Sequence, residues 1–396
     1  MKYPILLSLV LLVAACGPTS QDESSGPLAS GTPGVNDEEI VLGNQTDLSG
    51  DLAPQGAGSI NGARMRFDEV NAAGGIHGRQ IKLIVEDTES KVPGAVGAVS
   101  NLIGQDHVFA MVLSLGTKTD EAVLPEQMKK GVPNMYPLNG AREMVLPVNK
   151  LKFTERPTWY DEMRAAVAYF IANKSSKVPC VVYDDDDVGH AVIAAVEDQL
   201  KAMKRTASLS IKVPAGQQDY GDAVARLADA QCDVVFMGTG HSTAGLLLSA
   251  AHKAKFATDF VGTDEVYGEH FTSLDDGAGE GLYAATPMAR LHKDDQMSPR
   301  VRKWWDAYVE KYGDEPRLPA MEGYRAADLV VRALDGAGNN PTRESFIKAT
   351  ENLKDYTDLF GYHLSFGSDN HKGTNQSVLS EIEGGKWKVV AQSIQG

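Results

Sequence analysis

Residues 40–87 read IVLGNQTDLSGDLAPQGAGSINGARMRFDEVNAAGGIHGRQIKLIVED. IVLGN (40–44) is a short run of strand formers, and IKLIVED (81–87) is a second. Between them Ile60, Ala63, Phe67 and Val70 recur at spacings of three and four, which predicts an amphipathic helix over 57–73. Gly74 and Gly75 follow as its left-handed stop. Strand, helix and strand in this order form the repeating unit of a parallel sheet covered on both faces.

Working outward, the alternation continues. A helix over 93–105 precedes the apolar strand VFAMVL (108–113), and a helix over 119–130 precedes VPNMYP. Around Leu151 to Pro157 the series restarts. A helix at 158–173 leads to CVVYDDDD (180–187), then a helix at 189–203, ASLSIKV (207–213), a helix at 219–229, DVVFMG (233–238), a helix at 242–254 and DFVGT (259–263). Two series of similar length predict two similar lobes of the α/β class, each a doubly wound parallel sheet. The remaining helices near 299–312 and 321–336, with a β-rich tail from about 362, are too few for a third lobe and must complete the other two.

Composition agrees. With 396 residues, 42% of them apolar, the chain exceeds one comfortable core. The net charge of −15, broken by no long basic cluster, excludes the electrostatic footprint of a nucleic-acid binder. Beyond the first fifteen residues no apolar run reaches membrane-spanning length. Those fifteen carry their own message. Met1-Lys2 is a positive start, Ile5 to Val13 is apolar but too short to span, and Val13-Ala14-Ala15 supplies small residues for cleavage, so 1–15 is expected to be an export signal. Val-Ala-Ala-Cys resembles the bacterial lipobox, which implies lipidation at Cys16 and a membrane anchor through its acyl chains. Residues 16–37, rich in Gly, Ser, Pro and Asp, are expected to form a flexible tether reaching on the order of 25 Å.

Cys180 and Cys232 each open an apolar strand run, and the two strands would be neighbours in a parallel sheet. In an exported protein, a disulfide between them and a pair of buried thiols are both consistent with that placement.

Ligands of open α/β sheets collect at the carboxyl ends of strands, where loops feed helix N-termini. After the first strand comes a polar, glycine-bearing loop, 46–56, in which Ser49 and Gln55 are candidates; a plain capping turn would look similar. The glycines of Gly56-Ala-Gly58-Ser-Ile-Asn-Gly62 start too far from their strand to cradle a dinucleotide. The loop SLGTKTD (114–120) carries three hydroxyls where a helix cap needs one, making Ser114, Gly116 and Thr117 a candidate carboxylate site. The acids Asp184 to Asp187 lack the alternating spacing and return ligand of a cation site and read as a solvated loop, with no metal expected. His241 and Asp264 each follow a strand of the second series and should face the same cleft. Nucleophile elbow, zinc-binding and phosphate-loop motifs are missing, so no catalytic residues, no cofactor and no enzyme activity are expected.

The run LSGDLAPQGAGSINGARMRFDEVNAAGGIHGRQIKLIVEDTES resembles the opening of the type I periplasmic binding proteins of the leucine/isoleucine/valine-binding family. The likeness continues through YDDDDVGHAV, DVVFMG and the Gly-Tyr-Arg-Ala-Ala helix at 323–327, while GTKTDEAVLPEQMKKGVPNMYPLNGARE is similar to a divergent branch whose ligands vary. The resemblance implies two discontinuous lobes joined by three crossovers, 38–155 plus 286–373 and 156–285 plus 374–396. It further implies an interlobe cleft that closes by a hinge and delivery of a small-molecule solute to the membrane subunits of an ABC permease. Ser114 to Thr117 and Asn139-Gly140 would hold the ligand's carboxylate, and Asp264 its ammonium. Where amino-acid binders place aromatic residues, this chain has Gln55, Val188 and His241, so a more polar solute or another carboxylate fits as well. The expected role is an extracytoplasmic solute-binding lipoprotein of an ABC importer, taking an amino acid or a related amide or carboxylate. The alternative is a sensory lipoprotein signalling through a membrane receptor.

Overall fold

The structure is a computed structural model that describes residues 31–396 apart from Asp51. The export signal, Cys16 and most of the tether therefore lie outside the described residues.

In β1 (Glu39–Thr46) Ile40 and Leu42 point into one core and Val41 into another, so the strand is buried on both faces and becomes an inner strand. It pairs in parallel with β2 (Gln80–Asp87) from Glu39↔Gln80 to Thr46↔Asp87. On its other side lies β3 (Ala110–Val112), then β4 (Asn134–Met135) and β5 (Lys152–Phe153), all parallel. The helices connecting these strands are α1 (Ala53–Ala72), α2 (Val92–Gly104) and α3 (Thr117–Lys129). The apolar runs 108–113 and 132–137 thus contribute only short ladders. An apolar run reports burial, and burial continues past the last paired residue.

The second sheet has seven strands in the order β14-β13-β10-β9-β8-β6-β7. Its parallel part is β6 (Pro179–Asp184), β7 (Leu209–Val213), β8 (Val234–Gly238), β9 (Asp259–Gly262) and β10 (Leu282–Thr286). The intervening helices are α4 (Trp159–Ala172), which enters the sheet ahead of β6, then α5 (Asp187–Ala202), α6 (Gly221–Asp229), α7 (His241–Lys253) and the single turn α8 (Glu269–Thr272). The β-rich tail adds two antiparallel strands to this parallel part. β13 (Ser377–Ile382) runs antiparallel to β10, and β14 (Trp387–Ile394) antiparallel to β13, because a tight Glu383–Lys386 turn folds the tail into a hairpin.

Between β10 and β13 the chain returns to the first sheet. α9 (Pro299–Tyr312), α10 (Leu318–Gly336) and α11 (Arg343–Glu351) precede a small hairpin of β11 (Tyr356–Thr357) and β12 (His363–Leu364). Ala326, Leu329 and Val330 of α10 and Phe346 of α11 share one core with Ile40, Leu42 and Phe67, which completes the first layer. α1 and α10 touch backbone to backbone. A methyl added at Gly62 would meet the Ala320 carbonyl, and one added at Gly323 the Ser59 carbonyl.

Cys180, which is on β6, and Cys232, just ahead of β8, are bonded to each other, with Cα atoms 5.8 Å apart. Their separation of 52 residues closes a long loop, and loop-closure entropy assigns the bond about 4 kcal/mol. Denatured, unreduced protein should therefore expose neither thiol to titration. Replacing both with Ala should lower the unfolding free energy, measured in urea, by about 2–4 kcal/mol.

Candidate functional site

Both sheets reverse their strand order at a switch point, between β1 and β3 in the first and between β6 and β8 in the second. The loops leaving these strand ends carry Ser49, Gln55, Ser114, Gly116, Thr117 and His241, while Asn139-Gly140 follow β4 and Asp264 follows β9.

In the first loop, Asp47 is buried and accepts the backbone N–H groups of Ser49, Gly50 and Leu52 at 3.2, 2.6 and 2.7 Å. Ser49 is exposed and its hydroxyl donates to Asp87 at 2.6 Å. The loop is thus pinned by its own acids, and Ser49 is engaged within it. Gln55 is exposed on the first turn of α1.

Beyond β3, Ser114 is buried, Gly116 caps α3 at φ 107°, and Thr117 is half-buried at the first helical position. A buried acid sits among them. Asp120 takes the side-chain amides of Gln45 and, at 2.5 Å, Asn139, whose own oxygen accepts the Ala141 N–H at 3.1 Å. Burial pushes the Asp120 carboxyl up to about 7, against the lowering pull of Ser114, Asn139 and Gln45. Asn139 therefore serves an internal network.

In the second lobe His241 opens α7, its ring 4.6 Å from that of Phe271 and 4.8 Å from that of His270; burial holds its pKa below the usual imidazole range. Three of the four aspartates have local work. Asp184 accepts the Gly240 N–H, Asp185 pairs with Lys212 and His190, and Asp186 caps α5 through the Gly189 N–H. No group of three or more potential metal ligands occurs among the described residues.

Asp264 stands at the centre of the largest surprise. Its carboxylate is ion-paired with Arg156 and accepts the indole N–H of Trp159 at 3.0 Å. Arg156 leaves the first crossover, just after β5, with 4% of its side chain exposed. It also reaches Glu162 of α4 at 3.4 Å and Glu322 of α10 at 3.2 Å, and Glu162 accepts the Asp264 backbone N–H at 3.1 Å. Trp159 lies against Gly140, where a methyl would come within 2.5 Å of the indole, and its backbone N–H donates to the Gly140 carbonyl at 2.9 Å. Asn139-Gly140 of the first lobe and Asp264 of the second are thus brought together, with the Trp159 indole in contact with both Gly140 and Asp264.

Burial works against the Arg156 charge, but Asp264, Glu322 and Glu162 outweigh it. With one cation among three carboxylates, burial drives Glu162 and Glu322 up, and Arg156 pulls both back in part. Burial, then Asp264, raises Glu265. Across the lobes, Glu121 of α3 is raised by burial and then by Asp187 at the start of α5.

Sequence reading missed Arg156, Trp159, Glu162, Glu322, Asp120 and Gln45. One signal for the first three was present: FTERPTWYDE sets charged residues between an apolar strand and an apolar helix face, a place where charge must be paired. The cavities of about 200 and 430 Å³ found elsewhere include none of the predicted ligand residues in their walls.

Two outcomes follow. Arg156→Met leaves three carboxylates without their cation and should cost about 3–5 kcal/mol in urea unfolding, whereas breaking an exposed pair such as Lys91–Glu89 should leave the urea midpoint unchanged. Asp120, Glu322 and Glu265 have folded pKa values above their unfolded ones, so the folded state holds protons that the unfolded chain has released above about pH 5. Their contribution is complete at low pH and is lost as pH rises through the folded values. The urea midpoint should fall between about pH 5 and 8 and be flatter in Asp120→Asn; a rising midpoint would contradict the assignment.

Comparison with known proteins agrees with this geometry. Residues 39–386 match the model of a family described as "Periplasmic binding protein". A leucine-, isoleucine-, valine-, threonine- and alanine-binding protein of Pseudomonas aeruginosa is 26% identical over 293 residues, 74% of this chain and 76% of that one. Among solved structures, a fatty acid ABC transporter substrate-binding protein from Thermomonospora curvata superposes with a TM-score of 0.80 at 24% identity, covering 92% of this chain and 95% of that one. A branched-chain amino acid transporter substrate binding protein from Streptococcus pneumoniae, in complex with isoleucine, gives 0.77 at 23% identity, covering 91% and 100%. A family match over 39–386, on paired α/β sheets with their loop-bearing ends brought together, makes this chain a member of the periplasmic binding protein family, of the type I kind that its opening motif resembles.

Proposed function

We propose that the chain is the extracytoplasmic solute-binding lipoprotein of an ABC importer, held to a membrane by acyl chains on Cys16 and a tether over 16–37. Its lobes are 38–155 plus 286–373 and 156–285 plus 374–396. A small polar solute, an amino acid or a related amide or carboxylate, binds between them and draws them together. The observation that carries this reading is the meeting of Asn139-Gly140 and Asp264 at Trp159, a junction built from the strand ends of two separate sheets. The relatives are named for amino-acid or fatty-acid binding rather than for catalysis, which supports a role without turnover.

On this reading the solute meets Gln55, Ser114, Gly116, Thr117 and Asn139-Gly140 from one lobe and His241 and Asp264 from the other. Ser49 shapes its loop through Asp87. Because Asp264 already holds Arg156 and Trp159, a ligand ammonium enters as a third partner on the remaining lone pairs of that carboxylate. Like charges on Glu121 and Asp187 oppose approach of the lobes, so ligand contacts supply the closing free energy.

Isothermal titration against amino acids, small amides and aliphatic and aromatic acids tests the proposal. One class should bind saturably, and Asp264→Ala should weaken an ammonium-bearing ligand by about 2–5 kcal/mol. Absence of binding across the panel would refute the transport reading, and unchanged affinity in Asp264→Ala would remove the ammonium role.

A further inference from the structure

A second place in the molecule has the chemistry of a binding site, far from the interlobe junction. A cavity of about 200 Å³ opens between α1, α9, α10 and β11, walled by Arg66, Arg300 and Arg332 together with Glu69, Asp328 and Tyr356. Arg332 lies ten residues beyond Glu322 on α10, about 15 Å of helix. Arg66 lies eleven residues beyond Gln55 on α1, about 16 Å.

The hydrogen-bond accounting is uneven. Asp328 is buried and both its oxygens are occupied: Oδ1 takes Arg66 Nε at 2.7 Å, while Oδ2 takes Arg332 Nε at 2.8 Å and the Tyr356 hydroxyl at 2.5 Å. Glu69 Oε2 takes Arg66 Nη1 at 3.1 Å and the Tyr324 hydroxyl at 2.8 Å. Asp358, also in the wall, turns to Arg325 and to the backbone N–H groups of Phe360 and Tyr362. Each wall acid is thus engaged by the protein itself. The donors are not. Gripping Arg66 and Arg332 through Nε leaves Arg66 Nη2 and both Nη groups of Arg332 without a hydrogen-bond partner among the described residues, and Arg300 has no hydrogen bond or ion pair there at all. Stacking over the Tyr356 ring, 4.8 Å from its centroid, further fixes the plane of Arg332.

Three guanidinium groups match the charges of Glu69, Asp328 and Asp358, but those acids take only part of their donors, which leaves a surplus of forked N–H groups facing a small cavity. We infer that this cavity binds an oxyanion of the phosphate class, because planar forks each span two oxygens of a tetrahedral anion and an anion supplies the acceptors the wall lacks. The shared chemistry has two sources, a free phosphate or phosphomonoester and a phospholipid head group. This site stands apart from solute transport and does not depend on it.

Titration calorimetry of the purified protein with inorganic phosphate, against chloride at matched ionic strength, should show saturable binding. Arg300→Gln should weaken it at least tenfold while leaving the melting temperature in chloride unchanged, since Arg300 has no partner in the fold to lose. Arg332→Gln should weaken it as well. Recruitment to phosphatidylglycerol vesicles, compared between wild type and Arg300→Gln, distinguishes the sources. Equal recruitment, with phosphate binding lost in the variant, supports a free oxyanion; recruitment that falls in the variant and is displaced by phosphate supports a head group. Lack of phosphate binding by the wild type, or equal affinity in Arg300→Gln, would overturn the inference.

Discussion

Arg156 is a cation with almost no access to water, and it is shared by Asp264, Glu162 and Glu322. These partners come from different parts of the architecture: a loop after β9, a helix of the second lobe and a helix that completes the first. Removing a charge from water is expensive, and the expense is offset only where several hydrogen-bonded partners converge. The first crossover must therefore pass where Arg156 can reach all three, which fixes how the two sheets meet. Arg325, also buried, pairs with Glu155 and Asp358 and holds α10 to the same crossover.

This constraint bears on function. Carboxylates outnumber the cation and burial raises both Glu162 and Glu322, so the balance of charge at the junction can shift when a solute or its charge enters. Trp159 adds a steric condition. Its indole rests against Gly140 and donates to Asp264, so a solute that uses both must fit beside an aromatic wall. The two lobes remain linked through residues that are buried and polar, a material that can rearrange between discrete hydrogen-bond patterns without exposing an apolar core.

Much of the fold was legible in the sequence because its helices and inner strands carry strong periodicity. The helix expected at 299–312 is α9, and CVVYD and DVVFMG correspond to β6 and β8. β10 escaped notice because Leu-Tyr-Ala-Ala-Thr is poor in β-branched residues, and the antiparallel edge escaped because direction is set by a turn rather than by strand composition. The site was legible in placement only. Loops at strand ends could be found, but the partners of their side chains could not: Arg156 meets Asp264 across 108 residues and Trp159 meets it across 105. Ser49 and Asn139 were correctly seen as polar loop residues, yet their hydrogen bonds serve Asp87 and Asp120.

Two lobes hinged about this junction should close on a bound solute, and small-angle X-ray scattering of the protein with and without a saturating solute reads that closure. The saturated protein should have a smaller radius of gyration and a shorter maximum dimension; identical scattering at full saturation would rule closure out.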